Sequence, residues 1–271
     1  MGVIIYNIRQ KGAVMENIDR VREKVSQYQA QNNLSDQQMA ELIGCSRPLY
    51  QRTRTGKVPL GGRFIKGALK LLEKGTAGRE QYIERCTGET EIKVMFNIDG
   101  TGKWDIKSGI SMFDHLLAQL AKHGKFDITL SAKGDDVHHI IEDTAICMAK
   151  AFSGALGDKR GIERTASIMM PMDETLVTVA LDLSGRGYAV IDLPLAGNDM
   201  PGFPGDLARH FLETIAYEAR FNLHVITLRG INDHHKVEAA FKGLGRALDI
   251  ATRLDLRIVD TLPTTKGYME N

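Results

Sequence analysis

Apolar positions recur along this chain with two different periods. Between Ser35 and Thr53 the spacing is helical: Met39, Leu42 and Ile43 mark one helix, and Leu49 to Thr53 a second. Ser35 and Ser46 are the residue types that cap such helices, Gly44 supplies the turn between them, and Pro48 falls in a first turn, where its missing N–H costs nothing. A polar helix is predicted from about Asn17 to Asn32. A closing helix follows from Gly62 to Glu73, with Phe64, Ile65, Ala68, Leu71 and Leu72 as its apolar face; residues 1–15 carry no pattern. Gly75-Thr76-Ala77-Gly78 reads as a linker.

Beyond the linker the period changes to two. Ile92, Val94, Phe96 and Ile98 alternate inside a strand-like stretch from Glu84, closed by the Asp99-Gly100 turn. A helix ending at Gly124, a strand FDITLSAKG, and a helix from His138 to Leu156 come next, the last with Ile141, Ala145, Met148, Ala149 and Phe152 inward. Strands are expected near 167–170, 175–183 and 189–193, then a Gly/Pro-rich loop, a helix from about Asp206, a further strand and helix, and an irregular tail.

The later elements repeat the earlier ones. HLLAQLAKHGKFDITLSAKGDDVHHIIE from His115 and HFLETIAYEARFNLHVITLRGINDHHKVE from His210 align with one residue of slack, each ending in His-His-x-x-Glu. The period, near a hundred residues, is too long for a solenoid and indicates an internally duplicated domain. On a helix, Glu142 lies within reach of His138 and His139, and Glu238 of His234 and His235. Adjacent histidines point roughly 100° apart, so such a unit suits two neighbouring metal ions, one per imidazole. All 8 histidines fall between His115 and His235, which argues against scattered surface residues.

Composition adds bounds. With 271 residues, 43% hydrophobic and 25% charged, the chain has room for one large or two modest soluble domains. No apolar run reaches the roughly 20 residues a membrane span needs, so no membrane partner is expected. Cys45, Cys86 and Cys147 are scattered, which fits free thiols in the cytoplasm. Residues 1–80 carry 14 Lys+Arg against 7 Asp+Glu, whereas 81–271 carry 21 against 27. A basic segment on an acidic body implies two modules, placed at 1–78 and 79–271.

Two resemblances sharpen this. The helix, Gly44 turn, Ser46-capped helix and Gly56-Lys57-Val58-Pro59 turn resemble the helix-turn-helix of Cro/repressor-type DNA-binding domains. That resemblance implies DNA as a partner, with the second helix in the major groove and Arg47, Tyr50, Gln51 and Arg54 facing it. The usual aromatic-acidic pair before the Gly turn is replaced by Thr53-Arg54. From Arg85 to Gly267 the chain resembles the imidazoleglycerol-phosphate dehydratase family. The resemblance is carried by Arg85-x-Thr87-x-Glu89-Thr90, Phe113-Asp114-His115, His123-Gly124, both His-His-x-x-Glu units and Gly157-Asp158-Lys159. Pro171-Met172-Asp173-Glu174, Asp182-Leu183-Ser184-Gly185-Arg186, Leu223-His224 and Pro263-Thr264-Thr265-Lys266-Gly267 complete it.

That second resemblance implies an α+β fold in which helices pack between mixed sheets. It implies a hydro-lyase of histidine biosynthesis that converts imidazole glycerol phosphate to imidazole acetol phosphate, through an imidazolate bound by two manganese ions per site. It also implies a homo-oligomer, usually of 24 chains, with sites at subunit interfaces. By motif, one ion takes His138, Glu142, His224 and His234, and the other His115, His139, His235 and Glu238; His210 and His123 are left out of both sets. Glu89 is the proton-transferring carboxylate. Glu89, His115, Arg164, Arg186, Lys242, Thr265 and Lys266 contact substrate, the cations suiting its phosphate. Asp114 and Glu174 are expected to orient histidines. Thr165-Ala166 after Arg164, and Thr264, depart from the family pattern.

Overall fold

The computed structural model describes residues 21–71 except 24, 31–32, 60, 63, 66 and 69–70, together with 79–196, 200, 203–258 and 261–270. Two compact units emerge, one within 1–78 plus 256–259, the other 79–255 plus 260–271. The expected helix starting at Asn17 and the end of the closing helix at Glu73 fall partly outside the described residues.

In the first unit α1 (Asp36–Ile43) begins at a capping box: Ser35 accepts from the Gln38 amide, and the Gln38 side chain reaches back to Ser35. It ends at Gly44, whose φ of 75° is the left-handed conformation that glycine reaches without strain. α2 (Arg47–Arg54) follows at once. Val21, Val25, Met39, Ile43, Tyr50, Phe64, Ala68 and Leu71 form a separate small core. This corrects one expectation. Tyr50 is fully buried, its hydroxyl donating to Gln29 Oε1 at 2.8 Å and its pKa pushed up to about 12 by burial, so it does not face DNA. Gln51 donates to Asp36 at 2.8 Å, and Arg54 lies 3.8 Å from the same carboxylate. Arg47 is exposed.

The second unit contains two sheets of the same topology. β1 (Glu80–Cys86), β2 (Thr90–Asn97), β3 (Trp104–Lys107) and β4 (Asp127–Gly134) pair in the order β1-β2-β4-β3. β5 (Thr165–Met172), β6 (Thr175–Asp182), β7 (Tyr188–Asp192) and β8 (Asn222–Arg229) pair as β5-β6-β8-β7. In each, three antiparallel strands carry a parallel edge strand, β3 on β4 and β7 on β8. The stretch expected to alternate from Glu84 is two strands joined at Thr87–Glu89.

Each half adds two helices, α3 (Ser111–Gly124) and α4 (Val137–Leu156) in the first, α5 (Gly205–Glu218) and α6 (Asp233–Ala251) in the second. Pairing crosses between halves: α3 packs on α6 and α5 on α4, while α4 covers β1 and β2 and α6 covers β5 and β6. A single core of residues from both sheets and all four helices results. The α3–α6 contact is backbone on backbone: a Cβ on Gly245 would stand 2.5 Å from the Leu120 carbonyl oxygen, and one on Gly124 3.0 Å from the Gly245 carbonyl.

Candidate metal centre and active site

Asp136 caps α4 by accepting from the His138 amide at 2.7 Å, and Asn232 caps α6 by accepting from His235 at 3.0 Å. Each cap fixes a His-His pair in the first turn, with its glutamate one turn further on. The adjacent rings diverge, His138 against His139 by 88° and His234 against His235 by 84°. One histidine of each pair turns into a cluster and the other turns away.

Two clusters form, each drawing on both halves. His115 on α3 meets His234 and Glu238 on α6, its Nε2 lying 2.8 Å from Glu238 Oε2 and the His234 Nε2 2.9 Å from the same oxygen. His210 on α5 meets His138 and Glu142 on α4, with Nε2 atoms 4.0 and 3.6 Å from Glu142 Oε2 and the two rings stacked at 4.8 Å. In each cluster the ligand-type atoms lie within 4.8 Å of one another. Two imidazoles and a carboxylate are donors that imidazole-tolerant divalent ions accept. The His210 Nε2 is buried without a hydrogen-bond partner, an orphan that a shared ion would satisfy. The residues fit a metal.

His210, omitted from both expected sets, stands in the second cluster, and its repeat position opposite His115 is the sequence signal for that placement. His224, expected with His138, lies in neither cluster. Leu223 and Val225 on β8 are buried, so strand alternation turns His224 to the exposed outer face of the sheet.

The second histidine of each pair, His139 and His235, is held by carboxylates. His139 Nδ1 lies 2.9 Å from Asp135 Oδ1 and 3.9 Å from Glu89 Oε2, and the Asp135 hydrogen bond raises its pKa. His235 Nδ1 lies 2.8 Å from Glu174 Oε2, which raises the imidazole. Glu174 also accepts the Asn232 and Ile231 amides at 2.9 and 3.1 Å and is held far below the usual carboxylate range, the Asn232 amide acting most strongly. Asp114, expected to orient a histidine, instead accepts from the amide and hydroxyl of Ser108, at 2.8 and 2.5 Å. Burial would raise Glu238, but His115, Lys242 and His234 together hold it at about 2. Lys242 Nζ sits 2.6 Å from Glu238 Oε1.

A cavity of about 700 Å³ is lined by Arg164, Ser184, Arg186 and tail residues 263–266 and 268–270, so Thr265 and Lys266 join both arginines. Arg164 already forks onto Asp182 at 2.7 and 2.9 Å and donates to the Pro263 carbonyl at 2.8 Å, whereas Arg186 is exposed at the rim. Among the described residues no helix is long and apolar enough to cross a membrane.

Duplicated α+β halves with carboxylate–histidine clusters define a histidine-rich enzyme class with metal-type sites. The family model for imidazoleglycerol-phosphate dehydratase matches residues 108–248. Imidazoleglycerol-phosphate dehydratase of Dehalococcoides mccartyi strain 195 is 58% identical over 193 residues, 71% of this chain and 98% of that protein; the Roseiflexus relative is 50% identical over 194, covering 70% and 98%. Among solved structures, the Pyrococcus furiosus enzyme crystallised with (S)-C348 matches with a TM-score of 0.60 at 34% identity, covering 69% of this chain and 100% of its own. The Staphylococcus aureus enzyme matches at 0.60 and 30%, covering 65% and 99%. The chain belongs to the imidazoleglycerol-phosphate dehydratase family, and it is a lyase of histidine biosynthesis.

Proposed function

We propose that the chain dehydrates imidazole glycerol phosphate to imidazole acetol phosphate at a centre of two divalent ions, manganese by resemblance. His115, His234 and Glu238 would hold one ion and His138, Glu142 and His210 the other. The observation that carries this is the crossed, twofold repetition of the clusters, with the orphaned His210 Nε2 aimed at Glu142. Divalent charge beside the imidazole ring favours its ionised form, which can expel the neighbouring hydroxyl. Glu89, an exposed carboxylate 3.9 Å from His139, is the proton acceptor. Arg186, Thr265 and Lys266 bind the phosphate, Arg164 holds the tail loop that presents them, and Lys242 completes the substrate contacts through Glu238.

His139 and His235 face away from the clusters of their own chain, which supports a homo-oligomer, up to 24 chains, in which they serve a neighbour's ions. Residues 1–78 form an appended module. α2 leaves Arg47, Arg52 and Arg54 exposed, which supports DNA contact through Arg47 and Arg54, with Gln51 partly engaged by Asp36. Fluorescence anisotropy with duplex DNA at 50 and 200 mM salt tests it; salt-independent or absent binding refutes it.

The central test is manganese content and turnover of imidazole glycerol phosphate in His210→Ala and His224→Ala. Loss of about one ion per chain, with turnover at least 100-fold down, is expected for the first and near-parental behaviour for the second. The reverse pattern would restore His224 and remove His210.

A further inference from the structure

The Arg85-x-Thr87-x-Glu89-Thr90 motif uses its polar side chains mostly on the protein itself. Thr87 closes the β1–β2 turn by donating its amide to the Thr90 carbonyl at 2.9 Å, while its hydroxyl accepts the amides of Glu89 and Thr90 at 3.1 and 3.0 Å. Arg85 Nε donates to Asp143 Oδ1 at 2.8 Å, and the Thr90 hydroxyl donates to Asp143 Oδ2. Asp143 is 8% exposed, so both oxygens of a buried carboxylate are spent on this turn. The Glu89 carbonyl is taken by the Asp135 amide at 3.2 Å, and Asp135 holds His139.

Asp143 stands on α4 four residues after His139, on the same helical face. One helix therefore carries the imidazoles and, a turn further on, the anchor of the turn that presents Glu89. We infer that Asp143 is a positioning residue that fixes the Glu89 carboxylate against the imidazoles of α4 through Arg85 and Thr90. The inference rests on Glu89 being the proton acceptor. Partners that orient a functional group in this way are typically worth 10–100-fold in activity.

The test uses the manganese-loaded full chain carrying Asp143→Asn, Arg85→Met, Glu89→Gln and the double Glu89→Gln/Asp143→Asn. Asp143→Asn is expected to lower kcat about 10–100-fold, with KM within threefold and manganese content unchanged, and Arg85→Met to lower it less. The double variant should fall no further than Glu89→Gln alone, because both changes remove one function. Amide exchange in a peptide spanning 87–90 should speed up more than tenfold in Asp143→Asn while 144–156 stays protected. Retained protection at 87–90, rate losses that multiply in the double variant, or a loss confined to KM or metal content would overturn the inference. Full turnover by Glu89→Gln would sink the proton-acceptor reading and, with it, the catalytic consequence; the exchange rates would still decide the anchor.

Discussion

Gly245→Ala should loosen the His115–His234–Glu238 cluster two turns away. At that position α6 touches α3 without side chains between them, and the new methyl would lie 2.5 Å from the Leu120 carbonyl oxygen and 2.9 Å from the Gly124 nitrogen. Both obstacles are backbone, so no rotamer change relieves them. Restoring an ordinary contact near 3.4 Å moves the helices apart by about 0.9 Å at the crossing. Glu238 is seven residues from Gly245, about 10 Å along α6, and His115 five residues from Leu120, about 8 Å along α3. A displacement carried that far takes the 2.8 Å His115–Glu238 contact beyond hydrogen-bond range. Overpacking costs about 1–3 kcal/mol, offset by about 1 kcal/mol of helix propensity, so melting should fall by no more than about 8 °C. Manganese affinity, titrated by calorimetry, should fall about 10–100-fold. Gly154→Ala on α4 is the control, since its methyl would meet only the flexible end of Gln81 at 2.9 Å, and it should leave affinity intact. Unchanged melting and unchanged affinity in Gly245→Ala would refute the idea that the crossing sets the ligand geometry.

Other consequences are as direct. Asp127 accepts the amides of Thr101 and Lys103 at 2.7 and 2.9 Å; burial opposes ionisation, but these bonds hold the carboxyl below its usual pKa. Its stabilisation is therefore complete above an unfolded pKa of about 3.9 and lost as pH falls through the lower folded value. Asp127→Asn, followed by fluorescence of the single Trp104, should lose about 1–2 kcal/mol at pH 7 and almost nothing at the acid end. A loss equal at both ends would contradict the assignment. Tyr50→Phe should destabilise the first unit by about 1 kcal/mol, seen as faster amide exchange in 36–54, and leave any DNA affinity unchanged. Lys266→Met should raise KM at least tenfold with kcat nearly constant, as expected for loss of a phosphate contact; an effect on kcat alone would move Lys266 out of that role.

Much of this architecture is legible in the chain. The His-His-x-x-Glu units and the duplication are strong signals because helical spacing and the order of elements recur together. β3 is not visible, since Trp104-Asp-Ile-Lys is four residues of an edge strand whose place depends on parallel pairing with β4. The β1–β2 turn hides because alternation persists on both sides of Thr87–Glu89. His210 is readable from the repeat, whereas motif matching nominates His224, which strand alternation places on the outer face of β8. Tyr50 shows the limit of helix geometry alone: which face of a short helix is inward depends on Gln29 and Phe64, distant in sequence.

The exchange of helices between the two halves has a consequence for how such a chain can be divided. Neither half alone would complete a cluster, because the lone histidine of each stands over the pair belonging to the other. Two copies of a single half, related by a twofold axis, would complete both. The duplicated chain is thus equivalent to a tethered dimer, in which covalent linkage has removed the concentration dependence of bringing the three residues of each cluster together. Once tethered, the halves need no longer be identical, and Lys236 beside His235, where the first half has Ile140 beside His139, shows that divergence inside the histidine-bearing turn.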